Sequence, residues 1–201
     1  MHFKIGAVHW HISFLFCILL SLMLLFDSGF MVPTMLTVCA HESAHLFAMH
    51  LCGVAVREVS LEPFGILVKK EQKQLSLGAA LAVIYAGCAL HLLLGSACMV
   101  LFLLFQNRFV LSLAAINAAL LALNLLPIQG LDGGQGLLAV LRRFCSEKKA
   151  VAAAKITSLC TSGALFVFGM IICFKVRLNP SICLLAFFLL IQSLTNHLFY
   201  N

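Results

Sequence analysis

The chain has 201 residues, of which 63% are hydrophobic and 10% are charged, whereas a soluble domain is typically about 45–50% apolar and about 25% charged. Its mean hydropathy of +1.09 excludes an ordinary soluble domain, a disordered chain and a basic domain that binds nucleic acid. Because each membrane crossing needs about 20 residues, we expect a single integral membrane domain over residues 1–201 that contacts the lipid bilayer and no nucleic acid.

Six apolar stretches predict transmembrane helices. A charged segment between the second and third stretches, residues 54–68, contains β-branched residues, Pro63 and Gly65, and it predicts a small β-hairpin at the surface. The alanine-rich segment 142–154 predicts an interfacial helix or a cytoplasmic connector. The predicted fold is therefore an all-α polytopic membrane protein, a six-helix bundle with one hairpin. The predicted helices cover residues 12–26, 31–51, 77–105, 109–126, 156–174 and 182–199.

The positive charges predict the orientation. If the six helices alternate in direction, ten of the 13 Lys and Arg residues fall on the side of the amino terminus. Positive charges concentrate in cytoplasmic loops, so we expect a multi-pass protein with both termini in the cytoplasm. The other three residues are Arg108, Lys175 and Arg177.

The second predicted helix contains the most informative feature, the segment His41-Glu42-Ser43-Ala44-His45. Ionisable residues inside a bilayer are costly and rare. Residues four apart share one helix face, so the rings of His41 and His45 can converge on one Zn²⁺. Glu42 is placed to take a proton from a water that the zinc activates. His50 is expected to point to the opposite face near the helix end.

Asp132 is the candidate for a third zinc ligand, because catalytic zinc sites use three protein ligands and leave one position open. It is the only acidic residue between Glu71 and Glu147. It follows the fourth predicted helix in a stretch broken by Pro127 and by glycines, and broken backbone at membrane depth is tolerated where it lines a cavity. A helix-capping or solvated aspartate is the alternative. In the six-helix topology the second and fourth helices run parallel, which would bring the two motifs together toward the cytoplasmic side.

These residues resemble the site-2 protease family of intramembrane zinc metalloproteases, and most of all its bacterial sporulation-type, six-helix subgroup. The resemblance covers roughly residues 9 to 140 and rests on the His41–His45 motif, the segment 51–65 and the later Asn-x-x-Pro-x-x-x-x-Asp-Gly pattern. It implies one Zn²⁺ per chain, held by His41, His45 and Asp132, with Glu42 as the catalytic glutamate and Asn124 as the motif asparagine. It also implies a bacterial cell membrane and hydrolysis of a peptide bond in or near a transmembrane segment of another protein.

The sequence departs from the pattern of that family at several positions, none of which removes a ligand or the base. In the third predicted helix, Ala86-Gly87 matches the family's Ala-Gly motif, while Cys88 and His91 stand where the family usually has proline and asparagine. His91 as an extra zinc ligand is a minor alternative. The remaining departures are Ala44 for glycine, Gly130 for proline and Gln135 for arginine.

Asn117 and Asn124 lie seven residues apart and share a helix face, so both are expected to face the protein interior. For Asn124 two roles stay open: an amide that positions substrate or stabilises an oxyanion, or a hydrogen bond between helices. The bond between helices is favoured for Asn117.

Two other functions stay open for the whole chain: a metal-ion or small-ion transporter, and an inactive membrane adaptor derived from a protease. The expected partners are a membrane-associated substrate, such as a sigma or anti-sigma factor precursor, and a second copy of the chain. Because two residues follow Phe199, we expect regulation through a membrane partner or through substrate supply.

Overall fold

The computed structural model describes residues 2–5, 8–12, 29–62, 65–70, 74–176 and 181–195. The chain divides into two compact units, residues 1–121 and 122–201, which are described separately. The predicted helix 12–26 lies outside the described residues, except for Ile12.

In the described part of the first unit, one pair of strands precedes the first helix, and a second pair follows it and is followed in turn by three helices. The elements are β1 (His2–Ile5), β2 (Val8–Ile12), α1 (Met31–Leu51), β3 (Val56–Glu62), β4 (Gly65–Lys70), α2 (Leu77–Ile84), α3 (Ala86–Phe105) and α4 (Arg108–Asn124), whose last three residues belong to the second unit. Helix α1 packs against α2 and α3.

Helix α1 has the bounds that the sequence predicts, and its end shows how the chain leaves it. Gly53 adopts a positive φ of 63°, which glycine reaches without steric cost. Its N–H donates to the His50 carbonyl, and the N–H of Val54 donates to the Met49 carbonyl, both at 2.9 Å. This is a Schellman cap. Val54 and Met49 are buried together with Val83 of α2, so the cap directs the chain from α1 toward β3.

The strands of the first unit form a sheet in the order β1-β2-β3-β4 in the part of the chain that the structure describes. β3 and β4 pair antiparallel and overlap residues 54–68, the segment for which the sequence predicts a hairpin; β4 ends two residues beyond that segment, at Lys70. β2 pairs with β3 in parallel and with β1 antiparallel. The sequence does not predict β1 and β2, because the sheet continues from β2 to β3, which lies more than forty residues further along the chain.

The third predicted helix, residues 77–105, is interrupted in the structure. It forms α2 and α3, which meet at Tyr85. The Ser76 hydroxyl caps the start of α2 by accepting a hydrogen bond from the Ala79 N–H at 3.3 Å. Apolar residues continue through the interruption, so hydropathy alone could not locate it.

The second unit contains α5 (Asp132–Phe144), α6 (Glu147–Val176) and α7 (Ser181–Thr195). The sequence predicts a broken stretch at Asp132, an interfacial helix or connector over residues 142–154, and a separate helix from residue 156. In the structure Asp132 begins a helix, and residues 147–176 form one continuous helix, α6. A helix can begin so early because Ala150 to Ala154 favour helix. Arg142 pairs with Glu147 at 2.6 Å across the short connection between α5 and α6.

Among the described residues, two helices are long and apolar enough to cross a membrane, α3 and the segment Glu147–Phe174 of α6. Their large apolar side chains are exposed rather than packed in a core; Leu104 is 69% exposed and Phe105 is 72% exposed. The core helix of a soluble protein would bury such side chains. These surfaces fit lipid, and they support an integral membrane protein. The count of six spans and the cytoplasmic termini stay predictions.

Candidate metal centre

Helix α1 places His41 and His45 as the motif predicts, on one face and one turn apart. Their Nε2 atoms are 3.0 Å apart, and the two rings meet edge to face with their planes at 79°. Two nitrogens that bind one tetrahedral zinc at about 2.0–2.1 Å are about 3.3 Å apart. The pair therefore has nearly the spacing of two ligands of one ion.

The hydrogen bond of His45 fixes which of its nitrogens is available. Nδ1 lies 2.8 Å from the Val83 carbonyl oxygen. A carbonyl only accepts, so Nδ1 carries the hydrogen and Nε2 keeps a lone pair in the neutral ring. Ligating histidines usually donate their other N–H in this way. The ring nitrogens of His41 and His45 thus fit a zinc ion.

The Val83 carbonyl accepts two hydrogen bonds at the end of α2. A backbone N–H at the Tyr85 cap donates to it, and because a carbonyl oxygen has two lone pairs, it can also accept from Nδ1 of His45. The acceptor was not predicted from the sequence, because residues 77–105 were predicted as one helix. Ile84, Tyr85 and Ala86 give no local signal of the interruption, because all three residue types occur within helices.

Gly87 lets the backbone of α3 approach His41 closely. A Cβ atom at this position would overlap the imidazole ring of His41. His41 itself is 5% exposed. A side chain larger than hydrogen at position 87 would therefore displace this ring.

Glu42 is half-buried beside His41 on α1, and its role as the base stays a prediction. His50 is exposed in the last turn of α1, in agreement with its predicted place near the helix end and away from the two candidate ligands.

Asp132 lies in the second unit, as the first residue of α5, and is 7% exposed. A negative charge is favourable at the amino-terminal end of a helix. The two following glycines are close to the preceding loop: a Cβ at Gly133 would overlap the Leu125 carbonyl, and a Cβ at Gly134 would overlap the Ile128 carbonyl. The chain thus folds back on itself immediately before and after Asp132.

Buried hydroxyl groups hold the loop before Asp132. The N–H of Gln129 donates to the Ser158 hydroxyl of α6 at 2.9 Å. That hydroxyl lies 2.6 Å from the hydroxyl of Ser193 on α7, and both serines are fully buried. Gly130 has a positive φ of 97°. The segment is therefore anchored to both long helices of its unit.

Asn124 is the last residue of α4 and is half-buried. Asn117 is 3% exposed, and its amide oxygen forms a hydrogen bond with Nδ1 of His91 on α3. The predicted hydrogen bond between helices is therefore confirmed for Asn117. The two roles of Asn124 stay open, as does the participation of Asp132 in metal binding.

His91, for which the sequence supports zinc ligation only as a minor alternative, lies against His41 in the structure. The two rings stack with centroids 4.8 Å apart and planes at 29°. The spacing in the sequence could have indicated this contact, because His91 follows Gly87 by four residues and therefore shares its helix face.

No protein-family model and no curated protein matches the chain. Among solved structures, the chain is similar to a site-2 protease from Methanocaldococcus jannaschii with a TM-score of 0.61 and 19% sequence identity. The match covers 96% of this chain and 93% of that one. A likeness at this identity concerns the fold, and the chain has the fold of that site-2 protease.

Proposed function

We propose that the chain is an intramembrane zinc metalloprotease that hydrolyses a peptide bond within or near a transmembrane segment of a membrane-associated protein. The observation that carries the proposal is the pair of Nε2 atoms 3.0 Å apart on His41 and His45, with Glu42 beside them on the same helix. The exposed apolar helices and the fold support a site that works in lipid. A regulatory precursor such as a sigma or anti-sigma factor is the proposed substrate class.

The proposed donor set is His41, His45 and Asp132, the three ligands that the sequence motifs imply. When bound, zinc polarises the scissile carbonyl and makes water a nucleophile at neutral pH. The Val83 carbonyl keeps the N–H of His45 turned away from the ion. A buried carboxylate such as that of Asp132 adds the negative charge that offsets the charge of the cation.

Glu42 is the proposed general base and acid. It accepts a proton from the attacking water and returns a proton to the leaving amine. The Asn124 amide is the proposed donor to the substrate backbone or to the developing oxyanion.

A transmembrane substrate hides its carbonyls in helical hydrogen bonds, so it must unwind locally before hydrolysis. Strand β4 ends the strand order of the sheet in the described part of the chain. We propose that its outer edge pairs with the unwound substrate as an added strand, because extended peptides bind sheet edges through main-chain hydrogen bonds.

The test uses the full chain purified in detergent, with a single-pass membrane protein as substrate. Wild-type protein should contain about one zinc ion per chain and should cleave the substrate. Glu42→Gln should keep the zinc and lose cleavage by about 10²–10⁴-fold, the usual contribution of general acid–base catalysis. Glu147→Gln is the matched control, because Glu147 is exposed and pairs with Arg142.

Two results would overturn the proposal: wild-type cleavage in Glu42→Gln, or metal-dependent flux into sealed vesicles with no cleaved peptide. The second result would identify a transporter. A zinc-binding hydroxamate should block cleavage, because it occupies the coordination position left open for water.

The proposed orientation has a separate test. Reporters fused after Asn201 and inserted near Lys70 should both be cytoplasmic. An external signal from either reporter would contradict the charge argument and place the active site toward the outer half of the membrane.

A further inference from the structure

Helix α3 presents a polar side chain, His91, to the candidate metal centre. Gly87 and His91 lie one turn apart on this helix and both contact the ring of His41: Gly87 by the approach of its backbone, His91 by stacking. The ring of His41 is thus bordered by two residues from one face of α3. His91 is 1% exposed, so bulk water does not reach it.

Hydrogen bonds determine the tautomer of His91. Its Nδ1 lies 3.1 Å from Oδ1 of Asn117, and Nδ2 of Asn117 donates to the Leu113 carbonyl at 2.9 Å. Since the amide nitrogen is used toward Leu113, the amide oxygen faces His91 and accepts from Nδ1–H. In the neutral ring Nε2 then carries the lone pair.

The Nε2 atom of His91 is buried and has no hydrogen-bond partner among the residues that the structure describes. Burying a polar atom without a partner is costly. A residue that only packed against His41 would avoid this cost if it were apolar. The lone pair is therefore expected to interact with something that the protein itself does not supply.

We infer that His91 is a positioning residue of the His41–His45 centre, held in place by Asn117. Its ring keeps the imidazole of His41 in the ligating orientation, and its Nε2 accepts a hydrogen bond from a water molecule that the loaded centre holds. The inference rests on the proposed function, because it requires that the centre binds a metal.

The test measures metal binding, not cleavage. His91→Phe keeps a ring of similar size and removes both nitrogens, and Asn117→Ala removes the group that orients His91. Both variants should weaken zinc binding by about 10–100-fold, the usual effect of losing an outer-shell partner, and both should change the visible spectrum of bound Co²⁺. His50→Phe is the matched control, because His50 is exposed on the helix that carries His41 and His45.

Wild-type zinc affinity and an unchanged Co²⁺ spectrum in a folded His91→Phe variant would overturn the inference, because the centre would then bind metal normally without Nε2 of His91. If that variant does not fold, Asn117→Ala is judged by the same criterion. A wild-type chain that binds no zinc would instead overturn the proposed function. Weakened metal binding in both variants, together with a wild type that cleaves nothing, would support the role of His91 and reject the protease.

Discussion

The two units present their candidate ligands by different means. In the first unit a regular helix, α1, carries His41 and His45, and the neighbouring helices orient the rings through the Val83 carbonyl, Gly87 and His91. In the second unit Asp132 follows an irregular loop whose backbone packs directly against Gly133 and Gly134. Histidine placement therefore depends on side-chain contacts with α2 and α3, whereas Asp132 placement depends on backbone packing. Small substitutions in the two units should consequently have different effects on zinc affinity and on the free energy of unfolding.

The largest effect is expected for the carboxylate itself. Asp132→Ala should lower zinc affinity by more than about 100-fold, the upper end for outer-shell partners, because it removes the proposed charged ligand. Zinc content measured by elemental analysis, with circular dichroism to confirm folding, checks this. If Asp132→Ala kept the wild-type zinc content, Asp132 would not be a zinc ligand.

Gly134→Ala tests the dependence on backbone packing. The added methyl group would overlap the Ile128 carbonyl, which cannot rotate away as a side chain can, so we expect a loss of about 1–3 kcal/mol or more of unfolding free energy. Thermal unfolding in detergent measures it. Gly163→Ala is the control: nothing lies within 4 Å of a Cβ at Gly163, so that change should be neutral or stabilising by about 0.5–1 kcal/mol. Equal stability of the two variants would contradict the close packing at Gly134.

Gly87→Ala is the counterpart in the first unit. Here the methyl group would meet a side-chain ring, which can move, so the protein should fold while His41 leaves its ligating position. We expect zinc affinity to fall about tenfold or more with a smaller loss of stability than in Gly134→Ala. Zinc titration and thermal unfolding of the same samples separate the two effects. If Gly87→Ala lost stability but kept full zinc affinity, the contrast between the units would fail.

The smallest effect on zinc binding is expected for Ser158→Ala. It removes the acceptor of the Gln129 N–H and leaves that buried group unsatisfied, at a cost of about 1–3 kcal/mol, while zinc affinity should change little as long as the loop stays folded. Ser96→Ala is the control, because Ser96 is exposed and bonds only carbonyls of its own helix; it should change stability by less than about 0.5 kcal/mol. Similar stabilities of the two variants would show that the hydroxyl does not anchor the loop.

Local periodicity and composition were sufficient to predict one part of the candidate site. The bounds of α1, the shared face of His41 and His45, and the position of His50 near the helix end follow from helix geometry over a few residues, and the structure confirms them. Asp132 was selected because it is an isolated acid in an apolar region, and the structure places it in a buried position. The helix that Asp132 begins was not predicted, because three glycines in five residues favour a turn.

By itself, the sequence determined the membrane character of this protein, its main helices and the His-Glu-x-x-His motif, because each depends on residues close together in the chain. Only the tertiary structure decided the rest: the strands β1 and β2, the interruption at Tyr85, and the contact of His91 with His41. These features depend on pairing between distant segments, in which a carbonyl, a glycine or an amide becomes important only through the group that it meets. Hydrophobic periodicity carries no information about such partners, because it reports which face of an element is apolar and not what lies against it.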